Sequence, residues 1–130
     1  MKKSILLSLL IAVFTASALI AAEGSIGLAS NENTPNPFSP DKGPILIKYV
    51  TDSKAASSVK TTIKVFNLAG KLICTILDKG LRLVGKSYTD SWDGRDERGR
   101  VCLNGRYFLQ IEVEDSSGKK QIIYSIVLVK

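Results

Sequence analysis

The 130-residue chain has no histidine, two cysteines, one methionine and one tryptophan. Without histidine the commonest general base is missing, and with it the Ser-His and Cys-His nucleophile arrangements. Histidine-built metal sites are excluded as well, and Cys74 and Cys102 fall short of the four ligands of a structural zinc site. Asp90, Asp93, Asp96 and Glu97 do cluster. A calcium loop counted from Asp93 needs glycine at its sixth position and glutamate at its twelfth, where this chain has Arg98 and Asn104. No basic stripe occurs either. Charges of both signs are interspersed, as in Arg95-Asp96-Glu97-Arg98, which argues against nucleic-acid binding. No cofactor and no catalytic residue is expected, and outside the first 22 residues no segment shows helical spacing.

What is present begins with an export signal. Lys2-Lys3 precede an apolar run over residues 5–20, and Ala16, Ala18, Ala21 and Ala22 supply the small residues of a cleavage site. Residues 1–22 therefore read as a signal peptide cut after Ala22, with Ala16-Ser17-Ala18 as a second candidate. The run is shorter than the roughly 20 residues that span a bilayer. No cysteine follows either cleavage point, so a lipid anchor is not expected. The protein is expected in the periplasm, at the cell surface or secreted, without stable membrane insertion. Loss of Lys2 and Lys3 lowers the formal charge from +6 to +4. In an oxidising compartment Cys74 and Cys102 are a candidate disulfide; two small buried hydrophobes are the other reading.

Residues 23–35 are mostly small and polar and read as a flexible leader. Residues 36–130 read as one domain. Phe38 lies in the proline-stiffened segment Pro35–Pro40 and is expected to tuck against it. A first strand covers residues 45–50. Val59, Thr61, Ile63 and Val65 alternate with polar residues as a half-buried strand does, and Asn67–Gly70 returns the chain to a partner strand over 71–77. Asp78-Lys79-Gly80 is expected to break that strand, leaving residues 81–84 ambiguous. Further strands follow over 86–92, 106–114 and 119–129. The last is apolar on both phases, which suits either a fully buried strand or an edge strand awaiting a partner. Short strands of this number predict an all-β, antiparallel β-sandwich of about seven strands.

The stretch Ser91–Tyr107 organises the rest. Trp92 stands beside the turn pair Asp93-Gly94, Gly99 marks a second bend, and Asn104-Gly105 a third directly before Tyr107. Trp92 and Tyr107 are expected as core anchors, and Phe108, on the opposite phase, as an outward aromatic. The segments N-P-F-S-P (36–40), I-K-V-F-N-L-A-G-K-L-I (63–73), W-D-G-R-D-E-R-G-R-V (92–101) and N-G-R-Y-F-L-Q-I (104–111) together resemble the immunoglobulin-like module first defined at the flagellar hook-capping protein. Similar modules form C-terminal tails on exported bacterial enzymes and surface proteins. The resemblance implies a fibronectin III-like sandwich with no catalytic residues, acting through a protein partner or self-association. A small cell-surface carbohydrate-binding module, with Trp92, Tyr88, Tyr107, Phe108 and Tyr124 as a stacking platform, is the alternative.

Overall fold

The computed structural model describes residues 26–28 and 36–130. The segment read as a signal peptide, and most of the segment read as a leader, lie outside them. Seven strands follow one another: β1 (Ile26–Leu28), β2 (Ile45–Thr51), β3 (Ser58–Asn67), β4 (Leu72–Leu83), β5 (Ser87–Trp92), β6 (Gly105–Asp115) and β7 (Gly118–Leu128). They form two antiparallel sheets, β1-β2-β5 and β4-β3-β6-β7. This is the β-sandwich expected from the sequence, with the three-plus-four division of a fibronectin III-like domain.

The alternation that marks the strands in sequence is the alternation that fills the core. Val59, Thr61, Ile63 and Val65 of β3 are buried, and so are Tyr107, Leu109, Ile111 and Val113 of β6. Ile45, Ile47 and Tyr49 of β2 meet them from the opposite sheet, with Ile122, Ile126 and Leu128 of β7 closing one side. Each such apolar side chain contributes about 1.5–3 kcal/mol on burial. Thr61 is an exception in chemistry only. Its hydroxyl is buried with no hydrogen-bond partner among the described residues, so its shape is used and its polarity is a cost.

Two segments depart from the sequence reading, and a third bears out one of its two alternatives. β4 does not stop at Asp78-Lys79-Gly80 but runs on to Leu83, absorbing irregular pairing opposite Thr61–Lys64. Lys79 takes a φ of 50°, and its N–H donates to the Thr62 hydroxyl at 3.2 Å, so residues that resemble a turn instead form a bulge. A Cβ at Gly80 would meet Leu77 Cδ1 at 2.5 Å, so a larger residue there would displace the Leu77 side chain. Ile26–Leu28, within the stretch read as a leader, pair with Tyr49–Thr51 and supply the third strand of the β1-β2-β5 sheet. Backbone hydrogen bonding along β2's free edge supplies the reason.

The third concerns the last strand. β7 is an edge strand of the four-stranded sheet, and its even-numbered residues Ile122, Ile126 and Leu128 are buried while Ile123 and Val127 are half-buried on the outer face. Part of that edge is already covered. Phe38 N–H donates to Val127 O and Val129 N–H to Phe38 O, both at 2.9 Å. Asn36 adds a pair, its Nδ2 donating to Ser125 O at 3.0 Å and its Oδ1 accepting from Val127 N–H at 2.9 Å. Phe38, 2% exposed, is the plug that this strap carries into the core.

Candidate functional site

The corner between β5 and β6 is where the sequence concentrated its unusual residues, and the structure accounts for each of them by internal bonding. Trp92 ends β5 and is 2% exposed. Its ring packs against Phe38 at 5.5 Å and edge-on against Tyr107 at 5.3 Å, and its Nε1 donates to Arg95 O at 3.0 Å. The Asp93 carboxylate accepts the Arg95 N–H at 3.0 Å, fixing the turn. Gly94 adopts a φ of 80°, and a Cβ there would lie 2.7 Å from Pro40 Cγ and 3.1 Å from Leu128 Cδ1. Only glycine fits that approach.

Asp96 organises the second bend. One carboxylate oxygen accepts the N–H groups of Arg98 and Arg100 at 2.9 and 3.0 Å, and the other accepts Arg100 Nε at 3.3 Å. These bonds, the Arg100 backbone N–H first, hold its carboxyl below the usual range. The loop is then tied down at both ends: Glu97 N–H donates to Ile73 O on β4, and Cys102 N–H to Gly94 O. Asn104 Oδ1 accepts the Lys130 N–H at 2.8 Å, and Gly105 opens β6 at a φ of 149°. Tyr107 donates its hydroxyl to Leu103 O at 2.6 Å, four residues back. That is the tyrosine corner of immunoglobulin-like sandwiches, at the start of the strand where such folds carry it.

Cys74 and Cys102 are both free thiols in this structure, Cys102 buried and Cys74 half-buried. They are near enough for Cys102 to add to the upward shift of Cys74, but each sits beside a different aromatic, Cys74 by Trp92 and Cys102 by Tyr107. Burial pushes Cys74 up to about 11 and raises Cys102 as well. Both are protonated and poorly nucleophilic at neutral pH.

A polar cluster that the sequence reading missed closes the opposite side of the sandwich. Tyr49, fully buried, donates its hydroxyl to Asp90 Oδ2 at 2.6 Å and accepts from Arg82 Nε at 2.8 Å. Arg82 also pairs with Asp90 at 3.4 Å and lies 4.7 Å over the Tyr88 ring. The cluster joins β2 and β5 of one sheet to β4 of the other. Burial, then the bond to Asp90, pushes Tyr49 up to about 12. Arg82 falls in the segment that looked ambiguous in sequence, so its apposition to Tyr49 was not readable there.

Chemically, these groups are consumed by the fold. Among the described residues no three of histidine, cysteine, aspartate and glutamate converge to hold a metal ion. No described helix is long and apolar enough to cross a membrane. Of the aromatics considered as a stacking platform, Trp92 and Tyr107 are core, Tyr88 lies under Arg82, and Phe108 is half-buried on the outer face.

No protein-family model matches the chain. No curated protein matches it. Among solved structures it is similar to dimeric latent PorU from Porphyromonas gingivalis, at 17% identity and a TM-score of 0.60, covering 80% of this chain and 9% of that one. It also overlaps PorZ, described as an essential surface component of the type-IX secretion system of the same organism. There the identity is 17%, the TM-score 0.44, and the coverage 74% of this chain and 11% of PorZ. The chain thus spans about a tenth of the length of either structure, and the likeness to PorU is one of fold.

Proposed function

We propose that this is an exported, non-enzymatic immunoglobulin-like domain of the hook-capping type, working through protein–protein contact as an accessory to assembly, docking or secretion. One observation carries the reading. The polar groups of the corner motif are spent on the domain's own backbone, whereas large apolar side chains remain outside: Leu68, Leu81 and Leu103 are 69%, 65% and 76% exposed. Buried polar groups build the fold, and the exposed apolar side chains offer surface that a partner can cover. The same fold forms a small part of the much longer PorU chain, which supports an accessory module over a self-sufficient one.

The test separates protein from glycan partners. The purified protein is incubated with envelope material of its host, untreated, protease-treated or periodate-oxidised. Binding lost after protease and kept after periodate is the expected result. Binding that survives protease and is lost to periodate would replace this reading with the carbohydrate-binding one.

A further inference from the structure

The odd-numbered residues of β3 and β6, from Val59 to Val65 and from Tyr107 to Val113, are buried, so the even-numbered ones point outward. Strand register arranges these outer side chains in rows. Phe66 stands opposite Phe108, Lys64 opposite Gln110, Thr62 opposite Glu112 and Lys60 opposite Glu114. On β4, Leu72 extends the phenylalanine row, Thr75 the Lys64 row and Leu81 the Lys60 row. On β7 the rows end in Ser125, Ile123, Gln121 and Lys119. Lys60, Lys64, Glu112 and Glu114 make no ion pair among the described residues, so their charges remain for a contact outside the chain.

This pattern is complementary to itself about one axis. A two-fold axis in the plane of contact, parallel to the strands and midway between β3 and β6, lays β3 of each copy over β6 of the other and keeps every row in place. Phe66 then meets Phe108 of the second copy, and Lys60 meets its Glu114, which closes a ring of alternating charge. Lys64 lies over Gln110 and beside Glu112 of the second copy, Leu72 over Ser125, and Leu81 over the aliphatic stem of Lys119. Other axes lose one of these matches. An axis over either outer pair of strands leaves one phenylalanine uncovered. An axis at right angles to the strands lays Phe108 on Glu112, or leaves the phenylalanines or the Lys60–Glu114 row outside the contact. Stacked sheets with nearly aligned strands are also the packing this domain uses inside. Four strands about 4.8 Å apart and four rows about 6.8 Å apart make on the order of 500 Å² of flat face per copy. That is of the same order as the ~800 Å² each side of a stable interface buries.

We propose that the protein forms a two-fold symmetric dimer through the outer face of its four-stranded sheet, a partner assignment that rests on the protein-contact reading above. Sedimentation of the protein isolated from its own host should show a dimer. Lys60→Glu or Glu114→Lys should each weaken it about tenfold, since either sets like charges face to face. Mixed in equal amounts, the two single variants should recover dimerisation as a heterodimer. Within each variant the like charges stay side by side, so this recovery reads only the contact between chains. The photo-crosslinker p-benzoylphenylalanine at Phe108 should give a covalent dimer joined to the β3 segment around Phe66, a second measurement that needs no charge variant to fold. A monomer at every concentration, a dimer indifferent to both reversals, no recovery on mixing, or intermolecular crosslinks at other segments would each overturn the proposal. The protein-contact reading fails separately, when binding to host envelope material survives protease.

Discussion

At the residue scale the corner motif behaves as architecture, and its energetics follow from burial. Trp92→Ala removes a ring packed between Phe38 and Tyr107 and should cost about 3–5 kcal/mol. Urea denaturation measures this; a loss below about 1 kcal/mol would mean the ring does not anchor the core. Thr61→Val replaces a buried, unpartnered hydroxyl by a methyl of the same shape, and should leave stability unchanged or raise it by about 1 kcal/mol. Tyr49 gives a pH signature. Its ordinary value is 10 and its folded value about 12, so below pH 10 it is neutral in both states and its full contribution is present. Between pH 10 and 12 only the unfolded chain gives up the proton, and stability falls by about 2–3 kcal/mol from this group. Cys74, raised from 9 to about 11, starts the alkaline loss near pH 9. Tyr49→Phe should weaken the protein at pH 7, through lost bonds to Arg82 and Asp90, yet flatten the decline between pH 10 and 12.

At the scale of elements, what was legible in sequence was whatever a strict period of two makes legible. β3 and β6 have one face in the core and one outside, so their alternation survives in the residue order, and both strands stand where the pattern puts them. β4 breaks the period with a bulge, and Lys79-Gly80 imitate a turn, so the strand looked shorter than it is. Cross-sheet pairing leaves no local trace at all, which is why the Tyr49–Arg82–Asp90 cluster went unread. The corner glycines and Asp93 were legible as turns, but that Pro40 and Leu128 crowd Gly94 was not. The strap over β7 supplies a test at this scale. Asn36→Ala removes two bonds to the edge and should speed amide exchange at Val127 about tenfold, leaving the β3 and β6 amides unchanged. Uniformly faster exchange throughout would show that the strap supports the whole sandwich instead.

At the scale of the whole molecule, a sandwich whose polar residues are spent internally has its outer surface left for function. Phe38 closes the two sheets on one side and the Arg82–Asp90 pair closes them on the other. The outer face of the four-stranded sheet is not uniform, and its Ile123 and Val127 lie on the accessible side. Ile123→Lys with Val127→Lys should therefore fold, with a moderate loss of stability, while weakening association through that face. Failure to fold would place that phase of β7 in the core. The central claim is that the chain is exported and acts in contact with another polypeptide. A native mass spectrum of the species isolated gently from its own host tests both parts at once. The expected spectrum shows a chain beginning near Glu23 in complex with a second polypeptide; the intact chain from Met1, present alone, would contradict it.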